Sequence, residues 1–476
     1  MKHIAISSAF ATIAVATFCA AGLGTAPLAQ TNDSLMLAHH EWTASGYSVY
    51  PEPGRNGSNT KLTKAPAGYK PFYISHYARH GSRFHYSADD YHYLYNTLAK
   101  ADSAGKLTPL GKSALERTRF LSEHAAPRTG DLTQVGVGQH QGIAKRMAKN
   151  FPEVFRGNSG KGKSAPHVDA FASTSGRCIV SMAAFVSELR ANVPNVDVRL
   201  ESGKSLMQGI NTFDFKYTKD YAETEAYHKE SDKLWKNISF APTLARIFSD
   251  SNYVKKNVNA SDFYNKLYEI HGSMQGMDAQ FFEGTQPFNF NDLFTPAEEL
   301  ARWKAQNAWW YSVLGSCPLT GEQGVTYGKS ILTNILDEAD KAVTGASGTA
   351  VSGTAANTPV ATLRFGHDTG ILPLAGLMQL PVANARVTDL SKLHEQWTDF
   401  KIIPMAANLQ IVFYKAGAGK NAKPVLVKVL YNEVEQELPV PCGYAQAQGA
   451  GAKANCPAAP YYRWDDFSAF YRNIAK

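Results

Sequence analysis

The sequence predicts an α/β protein whose sheet-forming core is interrupted by a mainly helical insertion. Three observations carry this reading. Short apolar runs end in polar turns and lead into helix-patterned segments; a middle block has aromatic and polar residues at helical spacing with few strand signals; and strand-like runs return near the C-terminus. With 476 residues the chain can bury a large core, and its length suggests about two or three structural units. A hydrophobic content of 44% and a charged content of 19% exclude a disordered chain. The net charge of +7 comes without a basic run, which gives nucleic-acid binding no support but suits an acidic small molecule.

At the N-terminus, Lys2 and His3 form a short basic start, residues 4–23 are apolar and small, and no further charge appears until Asp33. The run is broken by Ser7, Ser8, Thr12, Thr17, Gly22 and Gly24. It is expected to be a signal peptide over residues 1–29, cleaved between Ala21 and Ala29, leaving no membrane segment and a periplasmic or secreted protein. Cleavage leaves Cys178, Cys317, Cys442 and Cys456, an even number that suits an oxidising compartment. Cys442 and Cys456 close a short Gly- and Ala-rich loop and are the expected disulfide; Cys178 lies in an apolar helical pattern and is expected to be a buried thiol.

Residues 32–69 have few apolar runs and read as an irregular lead-in, so residues 30–200 form the first part of the core, starting in earnest near Lys70. Residues 71–74 read as a buried strand, with Gly81 providing a turn at its end. A helical region punctuated by Gly105 and Gly111 follows, and then a helix over 135–147 with Thr133 as its N-cap. Residues 168–172 are strand-like and run through a Ser-Thr-Ser-Gly turn into another helix. Residues 201–329 form the helical insertion. Its best-marked helix starts at a capping box, Thr295-Pro296-Ala297-Glu298, and Trp303 and Trp310 are expected in its core. Residues 330–476 complete the core: a helix over 330–343, a Gly/Ala/Ser/Thr-rich loop over 344–357, a strand over 361–365, an apolar segment over 371–377 interrupted by Pro373, and two runs, 408–414 and 424–431, that alternate like a half-exposed antiparallel pair.

Chemistry concentrates at three strand ends. The first carries Arg79-His80-Gly81-Ser82-Arg83, the second leads to Arg177, and the third ends in His367-Asp368. Two guanidinium forks beside an imidazole can hold the oxygens of a phosphoryl group while the imidazole attacks it. Arg-His-Gly alone reads equally well as a strand-end histidine between solvated arginines, His367 alone as a structural histidine, and Asp368 also as a helix N-cap. In an α/β sheet, however, residues at the carboxyl ends of different strands can meet, so the combination is far more specific than its parts.

On these motifs the chain resembles the histidine acid phosphatases of the histidine phosphatase superfamily, which pair Arg-His-Gly-x-Arg with a late His-Asp. Within that clade it is most similar to bacterial multiple inositol polyphosphate phosphatases, through Leu107-Thr108-Pro109-Leu110-Gly111, through Gly130-Asp131-Leu132-Thr133 with Gly136, Gln139 and His140, and through Arg177-Cys178-Ile179-Val180-Ser181. The similarity runs from about Phe72 to Tyr462 and Trp464 and is weakest through the helical block. One departure stands out: those phosphatases have His-Ala-Glu where this chain has His367-Asp368-Thr369, the form of phytases and acid phosphatases of the wider clade.

The resemblance implies a phosphoglycerate-mutase-like α/β core, no cofactor and no metal. It further implies His80 as nucleophile, Asp368 as proton donor, and Arg79, Arg83, Arg177 and His367 as phosphate-binding residues, acting on inositol polyphosphates such as phytate through a phosphohistidine. His85, close behind the motif, is a candidate for the substrate pocket, and Lys204, Lys216 and Lys219 fall in the block where this clade builds specificity. The alternatives are a general acid or sugar-phosphate phosphatase, a phosphoryl-transferring mutase, or a non-catalytic phosphate-binding protein.

Overall fold

A computed structural model describes residues 32–51, 61–156, 165–346, 358–417, 421–449 and 455–476. The expected signal peptide and residues 347–357 of the expected loop lie outside these residues. Among the described residues no helix is long and apolar enough to cross a membrane.

The core is an eight-stranded mixed sheet. Its strands are β1 (Lys70–Arg79), β2 (His167–Ala172), β3 (Asp197–Ser202), β4 (Ala361–Gly366), β5 (Asn408–Lys415), β6 (Leu426–Tyr431), β7 (Val434–Glu435) and β8 (Tyr462–Arg463), in the order β3-β2-β4-β1-β5-β6-β7, with β8 pairing with β6. β3, β2, β4 and β1 are mutually parallel, and β5 joins β1 antiparallel. Parallel strands covered on both faces can be apolar throughout, and every residue of β4 is buried.

One face carries Ile74, Ala78, Val168, Leu363 and Phe365, packed against Ile143, Met147, Phe185 and Leu189 of the helices Gln134–Asn150 and Gly176–Asn192. The other carries Tyr73, Tyr77, Leu409, Ile411 and Phe413 and merges with the large helical layer. That layer is not drawn only from residues 201–329. The helices Ala88–Ser103 and Pro109–His124 contribute Leu94, Leu98 and Leu121 to it, and Thr108 donates its hydroxyl proton to the Arg246 carbonyl at 2.5 Å. The capping box at Thr295 forms, opening the helix Pro296–Leu314, with Trp303 fully buried. The expected cap at Thr133 forms as well, its hydroxyl accepting from the Gly136 N–H at 3.2 Å. Cys442 and Cys456 are disulfide-bonded, and Cys178 is fully buried with its thiol pushed up to about 11 by burial.

Several local expectations change. β1 runs five residues past Ile74, because burial on both faces admits Ser75, His76 and Arg79 into the strand. β5 and β6 pair antiparallel as expected but are buried on both faces rather than half-exposed, since Trp464 and Phe467 of the helix Trp464–Ala475 cover them. β3 was not expected, although Val198 and Leu200 alternate with Asp197, Arg199 and Glu201; it is an exposed edge strand with Leu200 in solvent. The apolar segment over 371–377 is part of a buried helix, Asp368–Leu377, that contains Pro373. Residues 32–47 are not an irregular lead-in. They form the helix Asn32–Ala38 and the 3-10 turns His40–Tyr47, which pack on the helical layer.

Candidate active site

Parallel pairing places Arg79 opposite Gly366 and Ala172 opposite Phe365, so the carboxyl ends of β1, β4 and β2 open on the same edge of the sheet. His80 follows β1, His367 and Asp368 follow β4, and Ser173 and Arg177 follow β2. Backbone bonds pin the first of these: the His80 N–H donates to the Gly366 carbonyl at 3.0 Å, and the Ala406 N–H donates to the His80 carbonyl at 2.9 Å.

Gly81 is required for space rather than for a turn. Its φ is not in the left-handed region, but a Cβ there would lie 2.5 Å from the Gly136 carbonyl oxygen. Gly136 meets the same approach from the other side, since its Cβ would sit 2.3 Å from the Ser82 carbonyl oxygen. The N-terminus of the Gln134–Asn150 helix therefore docks directly on the motif. Gln139 completes the contact: its side-chain oxygen accepts from the Ser82 N–H at 2.9 Å, and its amide nitrogen donates to Ser82 Oγ at 2.9 Å. Gly136→Ala is expected to lose about 2–3 kcal/mol of stability in urea unfolding, because backbone faces backbone and neither can yield. A loss below about 0.5 kcal/mol would show the contact to be looser than described.

His80 is buried, and its Nδ1 lies 2.9 Å from the Gly81 carbonyl oxygen. That carbonyl only accepts, so Nδ1 carries the proton and Nε2 keeps its lone pair. Burial, followed by the charges of Arg177, Arg79 and Arg83, holds the imidazole well below its ordinary value. A neutral ring with a free nitrogen is what a nucleophile requires. His367 stands edge-on to it with ring centres 5.7 Å apart. Its Nε2 is 2.8 Å from Ser173 Oγ and its Nδ1 is 3.4 Å from Arg177 Nη2, with burial and Arg177 bringing it down to about 4.

Arg79 is the most firmly held of the three arginines. Its Nη1 donates to the carbonyls of Gly46 and Ile403, each at 2.5 Å, and its Nη2 donates to Asp368 Oδ2 at 2.6 Å. Arg83 donates from Nη1 to the Phe84 carbonyl at 2.9 Å and to the Tyr47 hydroxyl at 3.4 Å. The Nε atoms of Arg79, Arg83 and Arg177 are all buried without a hydrogen-bond partner. Three cationic groups with unsatisfied buried N–H donors around one imidazole have the chemistry to receive an anion. Asp368 opposes them. Burial alone would raise its carboxyl, but Arg79, His367 and Arg83 outweigh that and hold it below the usual carboxylate value. It is not the helix N-cap; His367 occupies that position, and Asp368 is the first helical residue, its Oδ1 accepting from the Thr369 N–H at 2.8 Å.

One other expectation, His85 as a pocket residue, places differently. His85 is completely buried, with Nδ1 2.9 Å from the Tyr47 hydroxyl and Nε2 2.8 Å from Asp90 Oδ2, so both ring nitrogens are occupied and it does not face a pocket. Lys204, Lys216 and Lys219 are exposed, and Lys216 is paired with Asp214 at 3.0 Å. The nearby segment does reach the site: the Ile210 carbonyl accepts from the Tyr77 hydroxyl at 2.7 Å, and Asn211 Oδ1 lies 3.3 Å from Thr369 Oγ1. Sequence reasoning missed Gly46, Tyr47, Ser173 and Ile403. All four act through backbone or hydroxyl groups that carry no motif, and only Ser173, directly after a strand end, had a positional signal.

A sequence profile described as histidine phosphatase superfamily (branch 2) matches residues 77–432. No curated protein matches by sequence. Among solved structures, the Bifidobacterium longum multiple inositol polyphosphate phosphatase in complex with phosphate superposes with a TM-score of 0.70 at 18% identity, over 91% of this chain and 98% of that one. The same enzyme with inositol hexasulfate gives 0.68 at 19%, over 89% and 96%. The phytase from D. castellii gives 0.61 at 14%, over 91% and 85%. At these identities the likeness is one of fold, and the fold is theirs. The profile spans well over half of the sequence, from β1 past β6, and the chain belongs to branch 2 of the histidine phosphatase superfamily.

Proposed function

We propose that the protein is a phosphomonoesterase of the histidine acid phosphatase type that hydrolyses inositol polyphosphates such as phytate through a phosphohistidine on His80. The observation that carries this is a neutral, buried imidazole with a free Nε2, surrounded by three arginines whose Nε–H groups have no partner. His80 Nε2 attacks phosphorus while Arg79, Arg83, Arg177 and His367 hold the non-bridging oxygens, and the bond to the leaving alkoxide breaks as Asp368 protonates it. Water then attacks the phosphoramidate, Asp368 takes its proton, and phosphate leaves.

Asp368 is a carboxylate in the free enzyme, and this follows from the charges around it. A bound phosphate neutralises those arginines, so the carboxyl recovers its affinity for a proton when a substrate is in place. Where the inositol polyphosphate enzymes have His-Ala-Glu this chain has His367-Asp368-Thr369, so Asp368 is the carboxyl that would serve as the donor. The leader expected at residues 1–29 and the Cys442–Cys456 disulfide support export to the periplasm or medium.

The complexes of the B. longum enzyme with phosphate and inositol hexasulfate support a polyanionic substrate. A general acid phosphatase remains the second reading, favoured by the exposure of the three candidate lysines and the pairing of Lys216 with Asp214. Phosphate release from phytate, glucose 1-phosphate and an aryl phosphate separates the two. Changing Lys204, Lys216 and Lys219 together to Met is expected to raise KM for phytate severalfold, on the order of 3–10, and leave the aryl phosphate nearly unchanged. A wild type that prefers a monophosphate by a large factor would sink the inositol polyphosphate reading, and an unaffected triple variant would move the specificity pocket elsewhere.

A further inference from the structure

Outside the motif residues, a chain of polar side chains runs from the surface to Arg83. Lys266 donates to Asp90 Oδ1, Asp90 Oδ2 lies 2.8 Å from His85 Nε2, His85 Nδ1 lies 2.9 Å from the Tyr47 hydroxyl, and that hydroxyl accepts from Arg83 Nη1 at 3.4 Å. His85 and Asp90 are buried, Tyr47 and Lys266 half-buried. The Arg83 guanidinium also lies over the Tyr47 ring at 5.0 Å.

With a single ring proton on His85, the bond directions follow. Burial would raise Asp90, but the hydrogen bonds from His85 and Lys266 bring it down to about 2, so it only accepts. His85 Nε2 is therefore the donor to it. Arg83 donates to the phenol oxygen, which leaves the phenol proton to bond His85 Nδ1. Electron density is pushed from the carboxylate through the imidazole onto the phenol oxygen, which strengthens its hold on Arg83. With Nη1 held there and on the Phe84 carbonyl, the unpartnered Nε edge of Arg83 is left for the phosphate.

We infer that Tyr47 is a positioning residue for Arg83, oriented by the His85–Asp90 pair, and that this relay sharpens binding of the phosphoryl group in the transition state. The inference rests on the phosphatase reading above, with Arg83 as a phosphate ligand. The residues come from the 3-10 turns before β1, from the loop after it and from the start of the Ala88–Ser103 helix, so no single motif contains them.

Tyr47→Phe keeps the ring and its stacking on Arg83 and removes only the hydroxyl. It is expected to weaken vanadate binding and kcat/KM on an aryl phosphate about tenfold each, to weaken inorganic phosphate binding less, and to leave the melting temperature unchanged. Asp90→Asn turns an acceptor into a group that can donate to His85 Nε2, which reverses the relay, so it should cause the same loss. The Tyr47→Phe/Asp90→Asn double variant should then be no worse than either single variant. Calorimetric binding of vanadate and phosphate alongside steady-state kinetics reads all of this. Additive losses, or a Tyr47→Phe variant with wild-type vanadate affinity, would overturn the relay, and the latter decides the matter even if Asp90→Asn does not fold. A wild type that binds neither vanadate nor phosphate would overturn the phosphatase reading and the relay with it.

Discussion

His80→Ala is expected to abolish turnover, by roughly four to six orders of magnitude in kcat on any phosphomonoester, because the proposed route runs through a covalent bond to that ring. Neighbouring groups cannot substitute. His367 stands edge-on to His80 and is assigned to the phosphate oxygens rather than to attack, and Cys178 is held as a thiol by burial. The arginine cradle remains in the variant, so it should still bind inorganic phosphate. Quenching wild type in alkali during turnover should trap a phosphorylated protein that is stable in base and labile in acid, as a phosphoramidate is, and His80→Ala should give none. Activity near wild type in the variant would mean that the nucleophile is elsewhere.

Asp368→Asn should lose about 10²–10⁴-fold on an alkyl phosphate and much less on an aryl phosphate, whose leaving group departs with little help from a proton. Equal losses on both would count against Asp368 as donor. The pH dependence gives an independent reading. The donor works in its protonated form, so the alkyl phosphate rate should fall as pH rises through the value Asp368 has with phosphate bound, and the Asn variant should lack that limb. On the acid side, His80 is used neutral and lies well below its ordinary value, so acid should inhibit only far below the usual histidine range. Stability, by contrast, is lost toward acid: the free-state carboxyl of Asp368 lies below its unfolded value, so its ion pair with Arg79 contributes above the unfolded value and is lost as pH falls through the folded one.

The sequence carried its clearest signals in short segments. Arg79, His80 and Arg83 share one short segment after an apolar strand, His367 and Asp368 share another, and Thr133 and Thr295 open their helices with caps readable within four residues. Each depends on bonds between near neighbours, or on chemistry carried by side-chain type alone. Gly81 was recognisable as a necessary glycine, but the need comes from the Gly136 backbone across a helix–strand contact rather than from its own conformation. β3 left only a short alternation of Val198 and Leu200 with charged residues, too brief to stand out beside the adjoining helix, and the double burial of β5 and β6 depended on the separate helix that begins at Trp464.

From the sequence alone, the α/β class and the Cys442–Cys456 disulfide could be derived, and the residues proposed to handle phosphate could be named, since pattern, spacing and residue chemistry are local properties. Only the tertiary structure decided how those residues are held. Arg79 is fixed by the Gly46 carbonyl 33 positions before it and the Ile403 carbonyl 324 positions after it. His85 moved from a substrate contact to a buried link because Tyr47 and Asp90 close over both its nitrogens. Backbone carbonyls are the same in every residue and hydroxyls carry no periodicity, so the groups that orient a site leave no mark in one dimension until folding brings them to it.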